Sequence, residues 1–187
     1  MAAYTPETTY TPETTTPNTM KTIEVAIVMG SRSDLPVMRE AITVLEDFHI
    51  KHEVRILSAH RTPHILVSYV ESLLQRRIKV VIAAAGGAAH LAGVIAGHTI
   101  LPVIGVPMPS KYLHGVDSLY STVQMPKGIP VLTTAIGEAG AANAALGAIQ
   151  FIAVGDPVLQ SKVKSYREEM AQKVLDSDRD LQSTYDG

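Results

Sequence analysis

The sequence predicts an α/β fold, a three-layer doubly wound parallel sheet with an extra helix at its C-terminal end. Two observations predict it. Apolar runs of strand length alternate with amphipathic segments of helix length, which is typical of a parallel sheet with right-handed crossovers. Several of these runs become almost wholly apolar, as strands buried on both faces do. The predicted strands are residues 23–29, 52–57, 78–84, 101–106 and 131–135.

A helix is predicted after each strand. These helices are placed at residues 35–48, 63–76, 90–98, 117–124 and 138–153. The helix at 138–153 is rich in alanine and glycine, so we expect it to be buried on more than one side. A last helix at 157–175 is more polar, and its apolar positions need a partner surface. We expect a neighbouring subunit to provide that surface.

The predicted organisation is a single α/β domain at residues 22–175, between two unlike ends. Residues 4–9 form a Thr/Pro-rich hexapeptide that is repeated at once as residues 10–15. Because nothing there could build a core, residues 1–21 are predicted to be a disordered extension. The segment has no arginine and no apolar core, so neither a transit nor a secretory peptide is expected. Residues 176–187 are predicted to be a flexible tail.

The composition of the chain argues against several classes of protein. The 187 residues are 46% hydrophobic and 18% charged, which fits a compact globule. A net charge of -2 and the absence of tryptophan argue against a nucleic-acid partner. Without cysteine there is no disulfide, thiolate nucleophile or cysteine-based zinc site, which is compatible with a reducing compartment. No apolar run reaches the length of a membrane span, so no membrane partner is expected.

Candidate site residues lie in three strand-to-helix loops, which meet at the carboxyl edge of a parallel sheet, where such sheets bind ligands. The first loop, 30–34, offers the hydroxyls of Ser31 and Ser33 and the carboxylate of Asp34 at a helix N-terminus. This combination favours a phosphate or a ribose. Simple capping of the helix by Ser33 is the alternative interpretation.

The second loop, 58–62, places the titratable imidazole of His60 beside the permanent cation of Arg61. This pair indicates proton transfer next to an anionic substrate. Thr62 is the expected N-cap of the following helix, with Pro63 at its first position. A solvated polar loop without chemistry remains the alternative.

The third loop, 85–90, lets a ligand approach the backbone because Gly87 and its neighbours carry almost no side chain. A tight turn packed on a neighbouring helix is the alternative. His60 and His90 lack a nearby carboxylate at ligand spacing, so no metal is expected. The glycine-rich fingerprints of dinucleotide and ATP sites are absent, and so is the GxSxG pattern of a serine nucleophile.

Taken together, these loops resemble the class I phosphoribosylaminoimidazole carboxylase catalytic subunit family. Its members act as N5-carboxyaminoimidazole ribonucleotide mutases of purine (IMP) biosynthesis. The resemblance covers about residues 22–175 and implies a flavodoxin-like sheet. The mutases carry His-Arg-Thr-Pro in the central loop, as residues 60–63 do here, whereas the direct carboxylases carry His-Lys-Gly-Pro. The matching segments are 28–34, 58–63, 85–91, 115–121, 123–131 and 140–145.

The resemblance implies that a carboxylate moves from the exocyclic nitrogen of the ribonucleotide to ring carbon C4, without a cofactor. It implies that His60 is the acid–base group, that Ser31 and Asp34 bind the ribonucleotide and that Arg61 contacts its phosphate. The other pocket residues that it implies are Ser33, Ser58, Ala59, Gly87, Ala88, His90 and Leu91.

The resemblance also implies a homo-octamer in the cytoplasm, with possible functional coupling to an ATP-dependent carboxyaminoimidazole ribonucleotide synthetase. Two other functions remain open. One is direct carboxylation of aminoimidazole ribonucleotide by carbon dioxide, against which the central loop argues. The other is a non-enzymatic module that binds a phosphorylated metabolite, against which His60 argues, because binding alone needs no titrating group there.

Overall fold

The structure is a computed structural model that describes residues 22–185. Within that range, five strands form one all-parallel sheet in the order β2-β1-β3-β4-β5. This order reverses direction between β1 and β3, which is the place where doubly wound sheets bind ligands. The strands are β1 (Val25–Met29), β2 (His52–Ile56), β3 (Val80–Ala85), β4 (Val103–Pro107) and β5 (Leu132–Thr133).

A helix follows each strand, and one more follows at the C-terminal end. The helices are α1 (Leu35–Asp47), α2 (Pro63–Leu73), α3 (Leu91–Gly97), α4 (Val116–Val123), α5 (Glu138–Ala153) and α6 (Pro157–Tyr185). A short 3-10 turn, Arg32–Asp34, leads into α1. The predicted fold class, a doubly wound flavodoxin-like sheet with an extra C-terminal helix, is therefore confirmed.

The helices cover both faces of the sheet. Ala26 and Val28 of β1 belong to a buried cluster with residues of α2 and α3. The alternate residues of β1 face the opposite side, because successive side chains in a strand point to opposite faces. On that side, a Cβ built on Gly147 of α5 would lie 3.5 Å from Cδ1 of Ile104 in β4. The small side chains of α5 therefore let this helix approach the sheet closely.

The chain divides into two compact units, which meet in sequence between Ala148 and Ile149. In the second unit, α6 is capped by Asp156, whose carboxylate accepts hydrogen bonds from the backbone N–H groups of Val158 and Leu159, each at 3.0 Å. The prediction of a single domain at 22–175 stays a prediction.

No helix within residues 22–185 is both long enough and apolar enough to cross a membrane.

Several predicted boundaries are wrong by one to three residues, and the end of the last helix is wrong by ten. The edge strand β5 has only two residues instead of the five expected at 131–135. The helix α6 continues ten residues beyond the predicted end near 175. No glycine or proline interrupts that stretch, and Asp176 accepts hydrogen bonds from Gln172 and Arg179, which lie one turn away on either side. The predicted extension at 1–21 lies outside the described residues.

Candidate active site

A cleft of about 470 Å³ opens at the carboxyl edge of the sheet, beside the reversal between β1 and β3. Its volume suits a small-molecule ligand. The loops after β1, β2, β3 and β4 form it, and it contains every residue predicted for the pocket except Ala88. The lining residues are Gly30, Ser31, Ser33, Asp34, Ser58, Ala59, His60, Arg61, Ala85, Gly86, Gly87, Ala89, His90, Leu91, Met108, Pro109 and Ser110.

The loop after β1 is folded by its own polar groups into a capping box. The Oγ of Ser31 accepts a hydrogen bond from the backbone N–H of Ser33, and the backbone N–H of Ser31 donates to the Asp34 carboxylate at 3.1 Å. The hydroxyl of Ser33 donates to Oγ of Ser31 at 2.9 Å. The cap is thus Ser31 and not Ser33, because the 3-10 turn starts the helical segment earlier than expected. Two hydroxyls and a carboxylate are thereby gathered on one wall of the cleft.

Burial raises the pKa of the Asp34 carboxyl above its ordinary value. Hydrogen bonds from the Ser31 N–H and the Ser33 hydroxyl oppose this shift, as does the positive charge of Arg61. The carboxylate therefore sits in a place that is costly for its charge. A ligand that donates hydrogen bonds to Asp34 would relieve that cost.

The loop after β2 is a tight turn closed by Thr62 and Ser58. The hydroxyl of Thr62 accepts from the backbone N–H of Ser58 at 2.9 Å and donates to its carbonyl at 3.1 Å. Thr62 stands at the N-cap position of α2 with Pro63 in the first turn, as predicted, but its side chain makes no capping hydrogen bond to the helix. Since Thr62 closes the turn instead, it holds His60 and Arg61 at the mouth of the cleft.

The guanidinium of Arg61 spans the gap between the first two loops. Its Nη2 donates to the carbonyl of Gly30 at 2.8 Å, and its Nε lies 3.4 Å from Oγ of Ser58. These contacts use only part of the five-donor fork of arginine. The remaining donors can take an anionic group such as a phosphate at two points.

Two imidazoles meet across the cleft. Nε2 of His60 lies 2.8 Å from Nδ1 of His90, and the rings pack edge to face with centroids 4.9 Å apart. One nitrogen must donate and the other accept, so the pair shares a proton on this line. Within residues 22–185, no group of three His, Cys, Asp or Glu side chains is placed to hold a metal ion. The arrangement is suited to proton transfer.

The loop after β3 makes a wall of backbone and methyl groups. Gly87 has a φ of +69°, and a Cβ there would meet nothing within 4 Å, so its backbone conformation and not lack of space favours glycine. A Cβ on Gly86 would lie 3.3 Å from that of Met108, which shows how closely this loop approaches the end of β4. The structure places the buried Ala89 in the lining where Ala88 was expected, and Ala88 is exposed.

The loop after β4 also belongs to the cleft, to which it contributes Met108, Pro109 and Ser110, and it was not predicted from the sequence. The rule that carboxyl ends of parallel strands share one edge could have found it. Ser110 donates a hydrogen bond to the Asp117 carboxylate at 2.5 Å and accepts one from the backbone N–H of Gly115 at 3.0 Å. The bond from Ser110 holds the pKa of Asp117 below its ordinary value.

A doubly wound sheet with a polar, ligand-sized cleft at its reversal point defines a class of α/β proteins that bind small ligands at the carboxyl ends of their strands. Within that class, the family model described as AIR carboxylase matches residues 24–173. The chain belongs to this family.

Similar proteins support the assignment over most of the chain. The N5-carboxyaminoimidazole ribonucleotide mutase of Vibrio cholerae is 54% identical over 82% of this chain and 95% of its own length. The protein of the same name from Synechocystis is 54% identical over 84% of this chain and 89% of its own length. The crystal structure of PurE from Treponema denticola has a TM-score of 0.77 and 34% identity, and the match covers 84% of this chain and 97% of that one.

Proposed function

We propose that the protein is an N5-carboxyaminoimidazole ribonucleotide mutase, an isomerase of purine biosynthesis. It moves the carboxylate from the exocyclic nitrogen to ring carbon C4 of the ribonucleotide. The observation that carries this proposal is the hydrogen-bonded pair of His60 and His90 beside Arg61 in the cleft. The identities with relatives of that name support it.

Different polar residues on the walls of the cleft are suited to different parts of the ribonucleotide. Arg61, held in place through Gly30 and Ser58, is suited to the phosphate. Asp34 and the hydroxyl of Ser31 are suited to the ribose hydroxyls or to the amine. The wall at residues 86–89 is left for the ring and the migrating carboxyl group, because it carries no bulky side chain.

The proposed reaction needs one proton to be given and one to be taken. His60 donates a proton to the exocyclic nitrogen as its bond to the carboxyl carbon breaks, which frees carbon dioxide. The ring carbon C4 then attacks this carbon dioxide, and His60 removes the C4 proton to restore the aromatic ring. The proton that His60 gives to nitrogen is thus replaced by the one that it takes from C4, and the hydrogen bond with His90 orients the His60 ring. Proton transfer by a positioned side chain typically contributes about 10²–10⁴ in rate.

The test is to supply the pure protein with N5-carboxyaminoimidazole ribonucleotide in the absence of ATP and added metal. The expected result is its conversion to the C4 isomer, followed by the change in ultraviolet absorbance. A direct carboxylase would instead use aminoimidazole ribonucleotide with a rate that rises with bicarbonate. If the chain binds the ribonucleotide but converts neither compound, the non-enzymatic alternative holds.

Assembly into an octamer is part of the proposal. Exposed apolar side chains along α6, among them Val158, Met170, Val174 and Leu181, support contact with another subunit. Coupling to an ATP-dependent synthetase and a cytoplasmic location rest on the resemblance alone and stay predictions.

A further inference from the structure

Ser118 of α4 joins two walls of the cleft from outside it. Its hydroxyl accepts a hydrogen bond from the backbone N–H of Gly87 at 2.9 Å and donates one to the carbonyl of Met108 at 2.7 Å. Gly87 lies in the loop after β3, and Met108 directly follows β4. Ser118 is completely buried and is not part of the cleft lining. A buried hydroxyl that satisfies a donor and an acceptor is hard to replace, because removing it leaves both partners unpaired.

A second hydroxyl of α4 reinforces the same loop. Oγ of Ser121 lies 3.3 Å from the carbonyl oxygen of Gly87 and 2.8 Å from that of Asp117. The peptide groups on both sides of Gly87 are therefore tied to α4. Since Gly87 has no side chain to fix its own backbone, these hydroxyls determine where the wall at residues 86–89 stands.

We propose that Ser118 is a positioning residue that holds the loop after β3 against the carbon dioxide freed midway through the reaction. This inference rests on the proposed function. When the bond from nitrogen to carboxyl carbon breaks, nitrogen takes the proton, and carbon dioxide must remain until C4 attacks it. A wall that moves lets carbon dioxide leave, and uncarboxylated aminoimidazole ribonucleotide remains. The same loop leads to His90, so its position also sets the contact with His60.

The test is a carboxyl-label experiment with Ser118→Ala. The substrate carries labelled carbon in its carboxyl group, and the buffer contains unlabelled bicarbonate. We expect the wild type to keep most of the label in the C4 isomer. We expect Ser118→Ala to release several-fold more label and uncarboxylated ribonucleotide per turnover, with a kcat lowered about tenfold. The KM should change little, because no group in the lining is removed.

The matched control is Thr122→Val. Thr122 is buried on the same helix one turn further on, but its hydroxyl bonds to the carbonyl of Ser118 within α4. Valine keeps its shape and removes the hydroxyl, so any general effect of losing a buried hydroxyl from α4 appears in this variant too. We expect its label retention to match the wild type.

Three outcomes separate the possibilities. Full label retention in a folded Ser118→Ala variant overturns the inference. If that variant does not fold, Ser118→Cys replaces it in the same experiment, because cysteine is close to serine in size but forms weaker hydrogen bonds. In the wild type itself, an unprotected Gly87 amide in hydrogen exchange also overturns it. A wild type that forms no C4 isomer overturns the proposed function instead.

Discussion

His60 and His90 come from loops thirty residues apart and meet at 2.8 Å. Their contact gives the two rings complementary roles, because one ring nitrogen must donate the hydrogen bond and the other must accept it. Since His60 first gives a proton and then takes one, the reaction restores its protonation state without exchange with solvent. The contact with His90 fixes the orientation of the His60 ring within the cleft.

Replacing His60 with asparagine should abolish most of the turnover. His60→Asn keeps a polar side chain of similar size but removes the acid–base group, so we expect a loss of about 10²–10⁴ in kcat with ribonucleotide affinity largely kept. The matched control is His64→Asn, which makes the same change at an exposed position outside the cleft lining. Turnover of His60→Asn within about tenfold of the wild type would contradict the role, given the usual size of such effects.

Replacing Asp34 with asparagine should stabilise the free protein while weakening ligand binding. Burial raises the pKa of the Asp34 carboxyl in the folded protein. The protonated carboxyl therefore stabilises the fold fully below the unfolded pKa of about 3.9, and this stabilisation is lost as pH rises through the raised folded pKa. Asp34→Asn should therefore melt higher than the wild type at neutral pH. The difference should vanish in acid. Melting curves across pH measure the effect on stability, and calorimetric titration with the ribonucleotide measures the effect on binding. A variant that melts lower than the wild type at neutral pH would contradict a destabilising effect of the buried Asp34 charge.

At the level of elements, a polar cluster holds the edge strand β2 to α2. Glu53 of β2 accepts a hydrogen bond from the hydroxyl of Tyr69 and another from the guanidinium of Arg76, each at 2.6 Å. Burial raises the pKa of Glu53, but these two hydrogen bonds and the nearby positive charges outweigh it, so the pKa is lowered overall. Burial and the hydrogen bond to Glu53 raise the pKa of Tyr69. The ionised carboxylate is thus the form that the fold requires.

Glu53→Gln should destabilise the fold by about 1–3 kcal/mol at neutral pH, the usual cost of weakening hydrogen bonds to a charged, partly buried group. Because the folded pKa of Glu53 is lowered, its contribution is present above the unfolded pKa of about 4.3 and is lost as pH falls through the folded pKa. Chemical unfolding at neutral and acid pH measures this. Glu71→Gln, at an exposed position on α2, is the control. Equal stability of both variants at neutral pH would rule out a structural role for the cluster.

Sequence patterns revealed the strands, the helices and three of the four loops of the cleft, because apolar periodicity and loop position are local signals. They did not reveal the cluster around Glu53, whose partners lie 16 and 23 residues away. The role of Ser118 was also hidden, since a serine in a helix carries no mark of the loop that it will touch. Thr62 is the N-cap of α2 as predicted, but the sequence did not show that its hydroxyl bonds to Ser58 and not to the helix, because only the folded turn decides between the two.

For the whole molecule, removal of α6 should impair assembly. Truncation after Gly155 deletes exposed apolar side chains that we expect to contact another subunit, so the oligomer should become smaller or insoluble and activity should fall. No residue of the cleft lining is lost. Deleting residues 1–20 is the control, and it should change neither property. Light scattering measures the size of the oligomer, and activity is assayed on the same samples. A wild-type chain that is active as a monomer would contradict the expected role of α6 in assembly.

The parallel order of the sheet leaves β2 paired, among the described residues, with β1 alone. An open strand edge is a template on which another chain can add a strand and start aggregation. The apolar side chains Val54 and Ile56 are exposed there, yet Glu53 and Arg55 alternate with them. Charged side chains on an edge strand discourage such growth. The charged side chains that alternate with Val54 and Ile56 on β2 therefore oppose the addition of another strand at this edge.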